Sequence, residues 1–141
     1  MKRVFLDTNI VLDLLGFREP FYKYAAKIAT LADQGKIKLF TSALSFATAN
    51  YILSKFYSKD IALDKLRKLK VFTAISPIDE EIIEKGLNSS FKDFEDALQY
   101  FSALKMNCNF IITRNSKDFK DAEFPVMTSE EFMASFKEKR A

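Results

Sequence analysis

The sequence predicts an α/β fold: a three-layer sandwich in which a central, mostly parallel five-stranded sheet is flanked by helices. Short apolar runs alternate with longer amphipathic stretches along the whole chain, which implies parallel β-α-β units with helices on both faces of one sheet. The 141 residues include only three Gly and three Pro, so long irregular connections are not expected. No linker, repeat or low-complexity segment divides the chain, and residues 1–141 therefore read as one domain, large enough to bury a core without staples. The crossovers should be right-handed.

The elements follow in order. Arg3–Leu6 is the first strand, because Val4-Phe5-Leu6 is an apolar run too short for a helix. A short helix pattern covers Ile10–Leu15. Phe21–Gln34 carries Tyr24, Ala25, Ile28, Leu31 and Ala32 on one face and stops at Gly35. Leu39–Thr41 is a strand that leads directly into Ser42–Phe56, where Leu44, Ala47, Tyr51 and Ile52 fall at helical spacing. Ile61–Leu69 repeats Leu63, Leu66 and Leu69, and a strand is expected over Val71–Ala74. Asp79 reads as the N-cap of Glu80–Leu87. Asp93–Lys105 carries Phe94, Ala97, Leu98, Phe101 and Leu104. Phe110–Thr113 is the next strand and Val126–Met127 a weaker one. Ser129–Glu138 closes the chain with Ser129 as its cap.

Composition narrows the chemistry. The chain has no His, which excludes a Ser-His-Asp triad, a Cys-His dyad and His-ligated zinc. Hydrolysis would have to come from carboxylates, a metal-activated water or Lys. Cys108 is alone, so no internal disulfide forms, and its apolar neighbours mark a buried structural thiol. The net charge of +3 permits a polyanionic partner, but solvated helix faces account for most of the basic residues in the first half. Met1-Lys2-Arg3 before an apolar run invites a signal-peptide reading, yet Asp7, Asn9 and Asp13 interrupt that run. No stretch approaches the roughly 20 apolar residues that span a bilayer. A cytoplasmic location without membrane association is the expectation.

Acidic residues carry the functional signal. Asp7 follows the first strand, and a carboxylate there faces the crevice in which open α/β sheets bind ligands. Asp93 and Asp96 stand three apart at the start of a helix, and Asp118 follows the strand Phe110–Thr113. Taken singly, each has a bland account: Asp7 and Asp93 as helix caps, Asp96 as a first-turn acid favoured by the helix dipole, Asp118 as a surface acid. Gathered in one crevice they would repel each other unless a cation sat between them, and oxygen ligands alone point to Mg²⁺ or Mn²⁺.

The combination resembles a PIN domain. Val4-Phe5-Leu6-Asp7-Thr8-Asn9, then Asp93-Phe94-Glu95-Asp96-Ala97-Leu98, then Ile111-Ile112-Thr113-Arg114-Asn115-Ser116-Lys117-Asp118-Phe119 carry the resemblance, which extends over essentially the whole chain. At this length it is similar to the VapC-type toxins of toxin–antitoxin pairs. The resemblance implies a Mg²⁺- or Mn²⁺-dependent endoribonuclease. Asp7, Asp96 and Asp118 would be catalytic, and the metal would be held by these three with Asp93. Thr8, Asn9, Thr113, Arg114 and Asn115 would orient the site and its substrate, Asn115 standing where many members carry an acid. The implied partners are RNA, a cognate antitoxin and a second copy of the chain in a homodimer.

One departure stands out. Members usually place a Glu on the helix after the second strand, and here Ser42-Ala43-Leu44-Ser45-Phe46-Ala47-Thr48-Ala49-Asn50 has no acid. The position falls near Ala47–Ala49. Asp93 substitutes for it, or Thr48 or Asn50 acts through a water, or the fold binds RNA or protein without cutting. A phosphatase of the haloacid-dehalogenase type would need a second Asp at position 9, which is Asn9, and a suitably placed Lys, for which Lys105 and Lys117 are poor candidates. Finally, Tyr51, Ile52, Phe56, Tyr57, Ile61 and Leu66 span two neighbouring helices. The resemblance implies a groove there for an antitoxin segment, with some of the aromatic residues exposed.

Overall fold

The computed structural model describes residues 1–140, with side chains described as far as Phe136. Among these residues the elements are β1 (Lys2–Leu6), α1 (Thr8–Leu15), α2 (Tyr22–Asp33), β2 (Ile37–Ser42), α3 (Ala43–Phe56), α4 (Lys59–Val71), β3 (Thr73–Ser76), α5 (Glu80–Leu87), α6 (Phe94–Lys105), β4 (Phe110–Ile112), β5 (Val126–Met127) and α7 (Ser129–Arg140). A 3-10 turn at Ser116–Phe119 was not legible beforehand.

The strands form one sheet in the order β3-β2-β1-β4-β5, and every neighbouring pair is parallel. The chain winds outward from β1 to β3, then returns to the other side of β1 for β4 and β5. The winding therefore reverses between β1 and β4, and a crevice opens beyond their carboxyl ends. Asp7 extends β1 there, its N–H donating to the Ile112 carbonyl at 3.0 Å. Thr113 similarly extends β4, donating to the Met127 carbonyl at 2.9 Å.

Strand alternation divides the core. Val4, Leu6, Leu39 and Ile112 pack on one face with Ile10, Leu15, Ile28, Leu53 and Leu69. Phe5, Phe40 and Ile111 face the other way, against Tyr100, Ala103, Cys108 and Phe119. Burying a side chain such as Phe5 contributes about 1.5–3 kcal/mol, so a one-residue slip of β1 would reverse both sets and is strongly disfavoured. Burial raises the Cys108 thiol to about 12, so it stays protonated and structural, as expected.

Two boundaries differ from expectation for physical reasons. The third strand is Thr73–Ser76, not Val71–Ala74. Val71 is exposed and still helical, because Leu69 is the last anchor of α4; Thr73 then turns the chain, its hydroxyl donating to the Leu69 carbonyl at 2.6 Å. Thr128, not Ser129, caps the last helix. Its hydroxyl accepts from Glu131 N at 3.1 Å while the Glu131 carboxylate accepts from Thr128 N at 2.9 Å, a reciprocal capping box. Thr113 lies just past the end of β4, and Ser42, Asp79 and Asp93 are N-caps of α3, α5 and α6. On the α3–α4 pair, Tyr51, Phe56 and Ile61 are exposed while Leu66 is buried. No helix of the described residues is long and apolar enough to cross a membrane.

Candidate active site

Asp7 is the centre of the crevice. It is 6% exposed and serves as the N-cap of α1. One carboxylate oxygen accepts from Thr8 N at 2.8 Å and from Gln99 Nε2 at 3.3 Å; the other accepts from the Thr113 hydroxyl at 2.8 Å and Asn9 Nδ2 at 3.5 Å. Burial raises its proton affinity. Hydrogen bonds from Thr113, Thr8 and Gln99 oppose that, and the charge of Asp118 adds to it, leaving a net upward shift.

α6 brings the second acid. Asp93 caps the helix by accepting from Asp96 N at 3.1 Å, so the cap reading of Asp93 holds and does not remove it from the site. Asp96, one turn in, has its pKa pushed up to about 7, first by burial and then by Asp7, Asp93, Asp118 and Glu95. Glu95 is raised for the same kinds of reason, burial and then Asp7 and Asp93. Four carboxylates thus act on Asp96 without a cation among the causes.

A crevice of about 280 Å³ is lined by Asp7, Thr8, Asn9, Leu12, Asp93, Glu95, Asp96, Asn115 and Asp118. Of the expected site residues it gathers all but two. Thr113 lies behind Asp7, accepting from Asn9 Nδ2 at 3.3 Å and Asn115 N at 3.1 Å while donating to the carboxylate. The Arg114 side chain points elsewhere: its N–H meets Asn9 Oδ1 at 3.3 Å, but its guanidinium lies 3.1 Å from Asp13 and over the Phe21 ring.

Three participants escaped sequence reasoning. Glu95 adjoins Asp96 in a segment already singled out, and its own place among the acids was readable. Gln99 follows Asp96 by three positions on the same helix face, a usable signal. Its amide nitrogen donates to Asp7, to Thr8 Oγ1 at 3.1 Å and to Ser45 Oγ at 2.7 Å, and its carbonyl accepts from Ser42. Ser45 in turn shares a 2.8 Å hydrogen bond with Thr8. α3 therefore reaches the site through buried hydroxyls and supplies no acid. Neither Thr48 nor Asn50 is among the crevice's lining residues.

The donor chemistry fits a hard divalent cation. The crevice offers oxygen ligands only, and the mutual repulsion recorded at Asp96 is what such an ion would relieve. Among the described residues no three acidic side chains are already drawn together tightly enough to hold a metal. Mg²⁺ is commonly held by one or two carboxylates and several waters, so Asp7 and Asp96 suffice as direct ligands.

Comparisons with known proteins agree with this architecture. The PIN domain family model matches residues 3–117. Ribonuclease VapC1 of Aquifex aeolicus (strain VF5) is 32% identical over 136 residues, 93% of each chain. VapBC-1 from nontypeable Haemophilus influenzae superposes with a TM-score of 0.69 at 18% identity, covering 91% of this chain and 98% of that one. A toxin–antitoxin complex from Klebsiella pneumoniae gives 0.67 at 23% identity, covering 89% and 97%.

Proposed function

Since this chain belongs to the PIN domain family, we propose that it is an endoribonuclease, dependent on Mg²⁺ or Mn²⁺, that acts as the toxin of a toxin–antitoxin pair in the cytoplasm. The observation that carries this reading is the buried Asp7 carboxylate, fixed by four hydrogen-bond donors and facing further carboxylates in an oxygen-only crevice. The relative named as a ribonuclease supports RNA as substrate, and the toxin–antitoxin structures support an antitoxin as partner.

Asp7 and Asp96 hold the ion, with Asp118 and Asp93 completing the site through water. Glu95 supplies the charge that α3 lacks. Thr8, Asn9 and Thr113 keep both Asp7 oxygens aimed, so little reorganisation remains when substrate arrives. The ion supplies a Lewis acid for the phosphoryl oxygens and for the attacking water. With no His in the chain, carboxylates are the acidic side chains in the crevice that can accept the proton that water releases. The exposed Tyr51, Phe56 and Ile61 on α3 and α4 offer an apolar surface for an antitoxin segment, and a homodimer is the proposed assembly.

Cleavage of single-stranded RNA by the purified protein should require Mg²⁺ or Mn²⁺ and stop in EDTA. Asp7→Asn should lower it by roughly a hundredfold or more, while RNA binding, which rests on Lys and Arg contacts to phosphate, persists. Cutting that survives EDTA or Asp7→Asn overturns the mechanism. The absence of an acid on α3 motivates the alternative, a PIN-fold module that binds RNA or protein and cuts weakly or not at all. Binding without cleavage in Mn²⁺ across varied RNAs would establish that alternative.

A further inference from the structure

A second cavity, of about 470 Å³, lies beside the crevice and is lined by Asp13, Phe21, Tyr24, Arg114, Asn115 and Ser129 among others. Its size suits a small aromatic ligand. Asn115 lines both spaces, and Arg114 N is bonded to Asn9 within the crevice. We propose that this cavity holds a guanine base of the RNA next to the phosphodiester being cut, and so selects where the protein cleaves. The proposal rests on the ribonuclease reading and deepens it.

Unmet polar atoms carry the argument. The Asp13 side chain is 1% exposed, yet neither of its oxygens has a hydrogen bond; the Arg114 guanidinium lies 3.1 Å away but off the hydrogen-bond line. Arg114 Nε and Ser129 Oγ are likewise buried and unpartnered. Among the described residues five buried side-chain atoms lack partners, and four of them belong to this one cavity. Native structures leave few such atoms, and each costs about 1–3 kcal/mol. A ligand that met them would recover that cost.

Their chemistry selects the ligand. A guanidinium matches the O6 and N7 acceptors of guanine. A carboxylate matches its N1–H and N2–H₂ donors. Adenine, cytosine and uracil each lack one of those paired edges. Phe21 is 38% exposed with the Arg114 guanidinium 4.3 Å from its centroid, and Tyr24 stands beside it in the wall. Aromatic and guanidinium planes are the surfaces on which bases stack. A buried carboxylate in the wall disfavours a phosphate or an acidic peptide in the same place.

The test titrates GMP, AMP, CMP and UMP into the whole protein in EDTA, followed by calorimetry, so the shared phosphate cancels and only the base differs. GMP should bind roughly tenfold or more tighter than the others, the discrimination of about one bidentate pair. Asp13→Asn should bring GMP down to their level, and Phe21→Ala, a change at the surface, should weaken all four. Equal or absent binding of the four by the wild type overturns the proposal, as does a guanine preference unchanged in Asp13→Asn or binding unchanged in Phe21→Ala. Guanine selectivity in a protein that cuts no RNA sinks the ribonuclease reading and leaves the pocket standing. Cleavage without guanine selectivity does the reverse.

Discussion

At Asp96 the surroundings oppose the charge the site needs. Burial and four carboxylates raise its pKa from 3.8 to about 7. The folded state therefore holds a proton that the unfolded chain releases, so stability present below about pH 4 is lost as pH rises towards about 7. Asp96→Asn removes the repulsion. Because the group is half-exposed, solvent screening reduces the gain to about 1 kcal/mol, a few degrees in melting temperature at neutral pH without metal. Thermal denaturation in EDTA measures this. A clear fall in melting temperature would mean that Asp96 acts mainly as a favourable first-turn acid.

Among the elements, α7 separates a cap from its neighbour. Thr128 closes the capping box, whereas Ser129 Oγ has no partner. Thr128→Ala should cost about 1 kcal/mol, and Ser129→Ala should cost close to nothing or stabilise slightly, since it removes a buried unmet hydroxyl. Urea denaturation of the two variants reads the difference, and equal losses would contradict the assignment. α3 makes a related point. Its first turn contributes Ser42 and Ser45 to the network around Gln99 and Asp7, so this helix supports Asp7 from behind. The acids come from β1, α6 and the turn after β4.

For the molecule as a whole, the carboxylate cluster couples folding to pH and to metal. Asp13, raised to about 6 chiefly by burial, acts in the same direction as Asp96. The metal-free protein should lose stability from about pH 4 to about pH 7, then level off on account of these groups. Mg²⁺ or Mn²⁺ binds the ionised form. The same concentration should therefore raise the melting temperature by several degrees near pH 8 and by much less near pH 5. Thermal shift measurements at the two pH values decide it. An equal shift at both would mean that the ion binds somewhere other than this cluster.

How much of this was legible depended on the range of the interaction involved. Val4-Phe5-Leu6, the caps Asp79 and Asp93, and the break at Gly35 are local signals, and they placed strands and helices within a few residues. Val71 misled because an apolar residue at a helix end looks like the start of a strand, and only the anchoring of Leu69 in the core decided between them. The acids were readable as blocks because each sits at the end of a strand or the start of a helix. The chain by itself thus determined the α/β alternation, the oxygen-only chemistry and the candidate acids. The tertiary structure alone decided that Gln99 and Ser45 hold Asp7 from behind and that Arg114 turns away to Asp13. It also decided that Glu95 joins the crevice. These contacts join residues up to about a hundred positions apart, and which side chain meets which is set by sheet order and helix packing, about which no local pattern carries information.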